Sequence, residues 1–337
     1  MTNLEISWLT LWRIFLMLVL VAALFLAKEA LVILFLSIII SSALDAPVDY
    51  LERKKIPRII GTLLIFIAAL AVLAFLLYAL IPVTVFELQN FLSNIGKYQV
   101  PVFGSLHIPQ LNEIDKYLDN LVNALLSGGA SFFGVVASIF GGLAFSIATL
   151  VLSFYLTIDR NGVERFLRAV LPIMHENYII SIYLRARHRL GKWLQGQIIL
   201  MFIVGLAASL GLWFLGVKYS LILGVLAGVL EIVPVVGPIF AGVIAFLAAI
   251  SESWILGLYA ALLFLVIQQL ENHLLVPLVM KKAVGINPVV VVIALLAGSQ
   301  IAGLIGAVLA VPTAVVIQEI IADWEKRKLK SQRLEMR

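Results

Sequence analysis

The fold is decided by the stretch Gln268–Pro312, which reads QQLENHLLVPLVMKKAVGINPVVVVIALLAGSQIAGLIGAVLAVP. The first six residues, Gln268–His273, follow an apolar run and are all polar except Leu270. A charge at the centre of a membrane helix costs about 2.5–3.5 kcal/mol, so polar groups there face a protein interior or an aqueous cavity. From Pro288 onward the stretch is apolar but rich in glycine, which lets helices approach closely or break. Polar residues beside such a hairpin indicate a translocation site.

The composition is that of a membrane protein. Of the 337 residues, 63% are hydrophobic and 13% charged, and the mean hydropathy is +1.11. Soluble chains are roughly 45–50% apolar and about 25% charged. The net charge of +5 lies in short basic clusters between apolar runs. Positive-inside topology explains that placement better than nucleic-acid binding does. The absence of cysteine excludes disulfides and thiolate sites.

The N-terminal region, residues 1–82, contains three apolar runs that we expect to span the membrane: Leu9–Ala27, Leu31–Leu44 and Ile59–Ile81. The first run could be a signal peptide, but its leading part carries Glu5 and little positive charge. An uncleaved transmembrane helix therefore fits better. The loop Asp45–Arg58 has a basic excess, which places this loop, and by parity the N-terminus, in the cytoplasm.

The middle of the chain is expected to lie partly outside the bilayer. Residues 83–130 form a polar segment with an acidic bias that suits the outer side. Apolar residues recur at helical spacing in Leu111–Leu125, which predicts an amphipathic helix on the membrane or over a neighbouring subunit. Residues 131–192 comprise a fourth span, Ser131–Ile158, and the basic segment Asp159–Lys192. We interpret that segment as cytoplasmic surface helices that touch anionic lipid, since no aromatic–basic groove for nucleic acid accompanies it.

The C-terminal unit, residues 193–317, contains two apolar runs that are too long for one ordinary span. Leu221–Ile250 is interrupted by EIVPVVGP at Glu231–Pro238, and Val289–Ile317 by glycines near Gly298–Gly303. Each run is expected to form a broken or re-entrant helical hairpin that starts and ends on one side. The spans Trp193–Val217 and Trp254–Leu275 complete the unit, and the basic tail 318–337 is then cytoplasmic. The predicted fold is an all-α polytopic membrane protein with about six spans.

The polar cluster at Gln268–His273 supplies most candidate binding residues. Gln268, Glu271 and Asn272 fall at positions i, i+3 and i+4, so they share a helix face, and Gln269 and His273 occupy the adjoining one. One interpretation is a polar lining that binds a hydroxylated solute or a cation, with Glu271 able to take a proton. The alternative is a cytoplasmic helix end whose side chains only reach headgroups and water.

Glu231 is the second candidate, because it lies inside an apolar run and must be protonated, paired or exposed to water. If it lies near Glu271, the two carboxyl groups could share a proton or a cation. Alternatively, it accepts backbone N–H bonds at the break and only stabilises the bend. The residues predicted to form bends or hinges are Pro234, Gly237, Pro238, Pro277, Pro288, Gly298, Gly303, Gly306 and Pro312.

No enzyme or metal site is expected. The four histidines, His107, His175, His188 and His273, have no partner ligand at zinc spacing. Ser299 lies outside any G-x-S-x-G sequence, and no nucleotide-binding glycine motif occurs. We therefore expect no cofactor, and coupling to protons or sodium is the remaining option.

Five motifs together resemble the autoinducer-2 exporter (AI-2E) family of permeases: EIVPVVGP at Glu231, QQLENH at Gln268, Pro277, GINP at Gly285 and GLIGAVLAVP at Gly303. The resemblance implies a multi-pass transporter of a prokaryotic inner membrane, with an elevator-like movement and a pentameric homo-oligomer. It also implies either export of a small polar solute such as autoinducer-2 or sodium (lithium)/proton antiport, which the motifs do not separate. A secondary transporter with alternating access is the prediction, with a passive oligomeric pore or a scaffold as alternatives.

Overall fold

The computed structural model describes residues 8–95, 142–280 and 288–335, which form α-helices joined by short turns. A π-helical turn, Glu271–Leu275, connects the ninth and tenth helices. In chain order the helices are α1 (Trp8–Leu26), α2 (Lys28–Arg53), α3 (Arg58–Ile95), α4 (Leu143–Ile158), α5 (Gly162–Val170), α6 (Ile173–Phe214), α7 (Ser220–Leu230), α8 (Val236–Ile250), α9 (Trp254–Leu270), α10 (Val276–Met280) and α11 (Pro288–Glu335).

The predicted all-α polytopic architecture is confirmed. Five stretches of the described residues are long and apolar enough to cross a membrane: Lys28–Arg53, Arg58–Leu76, Ile173–Phe214, Trp254–Met280 and Val289–Glu325. The pair α4 and α5, bent by 90°, makes a sixth candidate if it is counted as one span. Five or six candidate spans among the described residues are consistent with the predicted number of about six.

Helix boundaries differ from the sequence expectation at three places. α2 continues to Arg53, so most of the loop predicted at Asp45–Arg58 is helical. α3 continues past Pro82 to Ile95, because a proline inside a membrane helix removes only one hydrogen bond. The later part of the basic segment, from Ile173, and the fifth span form one helix, α6, of 42 residues. At about 1.5 Å per residue this helix is roughly twice as long as the bilayer core is thick. The predicted amphipathic helix at Leu111–Leu125 and the first part of the predicted fourth span, 131–141, lie outside the described residues.

The first hairpin, α7 and α8, folds back on itself as predicted. The Glu252 carboxylate at its end accepts a hydrogen bond from the Lys218 N–H at its start, at 3.0 Å. Both ends therefore lie at the same level. α7 packs against α6 so closely that a Cβ on Gly228 would meet the Met201 carbonyl oxygen at 2.5 Å. Small residues at these contacts thus serve packing of the hairpin against a full span.

The second hairpin is the N-terminal part of α11, which breaks at Ala302 and Gly303. Gly303 has φ 58°, a conformation that glycine adopts without strain. The two arms touch where a Cβ on Gly306 would overlap the Gly298 carbonyl oxygen. The bend predicted near Gly298–Gly303 is therefore present.

The two hairpins pack against each other in the C-terminal unit. Val233, at the break of the first hairpin, is buried with Leu295 and Ala310, which lie on the two arms of the second hairpin. A larger apolar cluster joins α6, α7, α8 and α9 around Leu212, Ala245 and Phe264. The break in the first hairpin is thus embedded in protein.

Partly buried ion pairs connect the helices at the basic end of the bundle. Asp45 on α2 accepts hydrogen bonds from Arg58 on α3 at 3.1 Å and from Arg187 on α6 at 2.9 Å. Arg189 pairs with the buried Glu319 of α11 at 2.9 Å. These pairs fix α2, α3, α6 and α11 relative to one another at this end.

Candidate functional site

The break between α7 and α8 is a tight turn that the sequence enforces. The N–H of Val236 donates to the Pro234 carbonyl at 2.8 Å, which makes Val235 the centre of a γ-turn with φ 70° and ψ −53°. Positive φ is a genuine outlier for a β-branched residue, and such strain persists only where the surroundings impose it. A Cβ on Gly237 would overlap the Leu230 carbonyl oxygen, so only glycine fits there.

Glu231 caps the C-terminus of α7 immediately before this turn. Glu231 is only 1% exposed, and its Oε2 atom has no hydrogen-bond partner among the described residues. The carbonyl end of a helix carries partial negative charge. A carboxylate at this position is therefore in an electrostatically unfavourable place unless something positive joins it.

Glu271, the second buried carboxyl group, lies in the π-helical turn and belongs to a residue that is 3% exposed. The turn is wider than an α-helix because the Val276 N–H donates to the Glu271 carbonyl, five residues back. Pro277 follows, and the wider turn accommodates a ring that clashes with the preceding carbonyls in a regular helix. The Gln268 amide donates to the Glu271 carboxylate at 3.4 Å.

The carboxyl groups of Glu231 and Glu271 are neighbours, close enough to interact directly with each other. Within the described parts of the chain, neither forms a salt bridge with a basic side chain. An unpaired buried charge is strongly destabilising, and two adjacent ones more so. The arrangement is therefore stable when a proton or a cation lies between the two carboxyl groups.

The structure separates the six predicted binding residues into two groups. Gln268, half-buried, joins Glu231 and Glu271, whereas Gln269, Asn272 and His273 are exposed. The predicted shared face of Gln268, Glu271 and Asn272 is not kept, because α-helical spacing does not apply across a π-helical turn. An open apolar groove on the outer side of α9 is lined by Leu262, Leu265, Val266, Gln269, Leu270 and His273.

The nine predicted bend residues have different positions. Pro234 lies in the break of the first hairpin, while Gly237 and Pro238 are buried in the first turn of α8. Gly303 forms the turn of the second hairpin, and Gly298 and Gly306 are the contact between its arms. The remaining three lie within helices: Pro277 in α10, Pro288 at the start of α11, and Pro312 fully buried in its later part.

Gln197 on α6 is a site residue that the sequence interpretation missed. It is 1% exposed, and its side-chain amide donates to the backbone carbonyl of Glu231. Its sequence signal is a polar amide side chain inside the otherwise apolar run of the fifth span, which could have marked it as a candidate site residue. Among the described residues, no group of three or more acidic, histidine or cysteine side chains could hold a metal ion.

An all-helical polytopic chain, with two hairpins that fold back on themselves and buried carboxyl groups at a break, has the architecture of a membrane transport protein. The chain belongs to the AI-2E family of transporters, whose family model matches residues 14–326. The resemblance drawn from the five motifs is thereby confirmed.

Relatives across bacteria carry names of transport proteins and permeases. "Putative transport protein YrrI" of Bacillus subtilis is 27% identical over 308 residues, which cover 88% of this chain and 87% of the relative. "Putative transport protein sll0063" of Synechocystis is 28% identical over 320 residues, with 88% and 78% covered. "Putative permease PerM" of Escherichia coli K12 is 27% identical over 221 residues, with 63% and 61% covered.

Proposed function

We propose that the protein is a secondary transporter of a prokaryotic inner membrane that exports a small polar solute, similar to autoinducer-2, by alternating access. The observation that carries the proposal is the buried Glu231–Glu271 pair, which no basic side chain of the described residues neutralises. Polar groups at such depth are costly unless they bind something. We assign the pair the role of coupling site for a proton or sodium ion.

The two hairpins supply the movement. Trp254–Met280 is long enough to cross the membrane, so the first hairpin, which ends at Glu252, and the second, which begins at Pro288, enter from opposite sides. Their contact at Val233, Leu295 and Ala310 is apolar. When a proton or cation neutralises the carboxyl pair, the pair can move past apolar surfaces at lower cost than when it is charged. Access would then alternate between the two sides.

Orientation and assembly follow from charge and from the family. Basic residues concentrate at the end of the bundle that carries Arg58 and Arg187, which supports a cytoplasmic location for that end and for both termini. We also infer a homo-oligomer, which is a pentamer by family resemblance.

Sodium (lithium)/proton antiport is the second candidate, and the chemistry of the site favours it. The side chains gathered at the break are two carboxyl groups and two amides, Gln197 and Gln268. Oxygen ligands of this kind suit a small cation, and the groove found on α9 lies on the exposed face, away from the pair. A cation would thus be the transported species rather than only the coupling ion.

One preparation can separate these candidates. The purified protein is reconstituted into vesicles, and autoinducer-2 efflux is measured beside sodium/proton exchange. Glu231→Gln and Glu271→Gln should each abolish the dependence of flux on pH. Glu252→Gln, on the rim of the first hairpin, is the matched control and should keep it, since an amide oxygen still accepts the Lys218 hydrogen bond. Unchanged flux and pH dependence in both site variants would show that the pair has no coupling role.

Channel activity needs a separate measurement. Single-channel currents in planar bilayers are expected to be absent, because a carrier binds and releases its substrate in each cycle. Discrete currents in the wild-type protein would instead support a passive pore.

A further inference from the structure

We propose that Gln197 is the positioning residue of this site: its side-chain amide holds the broken tip of the first hairpin so that the Glu231 side chain faces Glu271. The inference rests on the proposed coupling role of the carboxyl pair. In this proposal α6, which carries neither carboxyl group, sets the distance between the carboxyl groups of Glu231 and Glu271.

The first step of the argument concerns the carbonyl that Gln197 contacts. In an uninterrupted helix the carbonyl of Glu231 would accept the N–H of Val235, four residues on. The γ-turn at Val235 interrupts this helical pattern. The Val236 N–H donates to the Pro234 carbonyl, two residues back, and not to a carbonyl four residues back. The Gln197 side-chain amide donates a hydrogen bond to the Glu231 carbonyl. Inside a membrane a backbone carbonyl released by a helix break must find such a partner.

The second step concerns how firmly Gln197 is held. The residue is 1% exposed. Its neighbour Gly196 lies against α10, where a Cβ would be 3.0 Å from the Met280 sulfur. About one and two turns further along α6, Met201 and Gly205 are in close contact with Gly228 of α7. α6 is therefore packed against both the helix that ends at Glu231 and the helix that follows the Glu271 turn.

The third step concerns what a change in position would do. Within the described residues, Glu271 is the titratable side chain that interacts with Glu231, and the other neighbours of the break, such as Ile232, Leu295 and Ala310, are apolar. None of these neighbours carries a charge that would compensate if the tip moved. A shift of the tip therefore changes how well the two carboxyl groups share a proton or cation, while the hairpin packing is retained.

The test uses full-length protein in vesicles and compares Gln197→Met with Gln195→Met. Methionine keeps the length and approximate volume of glutamine but removes the N–H donor. Gln195, two residues away, donates to the Ala43 carbonyl of α2 at 2.7 Å, so its variant removes an equivalent bond without touching the hairpin. Gln197→Asn keeps a polar amide, but its side chain is too short to reach the Glu231 carbonyl. This variant therefore tests whether the hydrogen bond, and not polarity alone, is required.

Gln197→Met and Gln197→Asn are both expected to raise the sodium or proton concentration at half-maximal flux by about tenfold, as loss of an outer-shell partner does at ligand sites. Gln195→Met should leave it unchanged. If both Gln197 variants keep the wild-type concentration dependence while Glu231→Gln abolishes it, the positioning role is wrong and the coupling role stands. If Glu231→Gln also has no effect, the proposed function itself fails. Should Gln197→Met not assemble, Gln197→Asn alone decides the outcome.

Discussion

The carboxyl groups of Glu231 and Glu271 meet although one ends the first arm of a broken hairpin and the other lies in a π-helical turn of a separate span. Both groups are buried and no basic side chain in the described ranges pairs with them. Two features bring them together: the sharp turn that ends α7, and the packing of α6 against the helices on both sides.

Neutralising either carboxyl group should make the stability of the protein less dependent on pH. In the wild type, alkaline conditions place two negative charges side by side in a buried site, which is destabilising. Glu271→Gln retains a hydrogen-bonding side chain but removes that repulsion. We expect the thermal stability of the wild type in detergent to fall as pH rises from neutral to alkaline, and that of Glu271→Gln to fall less. Equal losses in wild type, Glu271→Gln and the control Glu252→Gln would contradict the expectation.

Gly237 should not tolerate even one methyl group. A Cβ there would overlap the Leu230 carbonyl oxygen, which belongs to the backbone of the break and cannot move aside cheaply. Gly237→Ala is expected to cost about 1–3 kcal/mol or more. Gly242→Ala is the matched control, because its Cβ would meet the Phe264 side chain at an ordinary 3.4 Å. Thermal melts of both variants measure the difference, and similar melting temperatures would exclude the tight turn.

Val235 should be the opposite case, a position where glycine stabilises. Its positive φ costs of order 1–3 kcal/mol, while glycine costs roughly 0.5–1 kcal/mol through the unfolded state. Val235→Gly is therefore expected to gain about 1 kcal/mol in unfolding free energy. Val236→Gly, at the first residue of α8, should only lose stability. A loss of equal size in both variants would mean that Val235 is not strained.

Arg187 should be important for stability at the basic end of the bundle. Its side chain is 9% exposed and pairs with Asp45, which is 14% exposed. Breaking such a buried pair costs about 3–5 kcal/mol because the partner charge is left behind, although Arg58 remains close to Asp45 here. Arg187→Ala should therefore melt well below wild type. Arg165→Ala removes an ion pair whose arginine is 70% exposed, and should change stability by about 0–1 kcal/mol.

α5 should lie in the membrane interface. It leaves α4 at 90°, and Phe166 and Val170 on its apolar side are each 65% exposed. Its arginines already pair with carboxylates of the protein: Arg165 with Asp159, and Arg168 with Glu164 and Glu176. Docking should therefore depend on apolar burial more than on anionic lipid.

The absence of native cysteine makes this placement directly measurable. A spin label on Phe166→Cys should be more accessible to oxygen than to an aqueous nickel complex, and one on Arg165→Cys the reverse. The pattern should be the same in zwitterionic and anionic vesicles. Equal access of the nickel complex to both positions would place α5 in water.

Much of the fold could be predicted because its signals are local. Apolar length identifies the spans, since each must cross a core of about 30 Å. Proline and glycine at Pro234, Gly237 and Gly303 identify the breaks, since they act through the backbone of their own segment. The sequence also identified Glu231 and Glu271 as candidate site residues, but it left open whether either side chain is buried, which the structure decided.

The sequence alone therefore determined the approximate positions of the spans, the two hairpins and the residues expected to be costly in a membrane, because these depend on local sterics and on transfer from water. Only the tertiary structure decided that Glu231 meets Glu271, that Gln197 supplies the bond to the break, and that Asn272 turns away from the pair. Those outcomes depend on how α6, the hairpin and α9 pack. A shift in backbone hydrogen bonding by one residue, as in the π-helical turn, redirects side chains without leaving a signal in residue spacing.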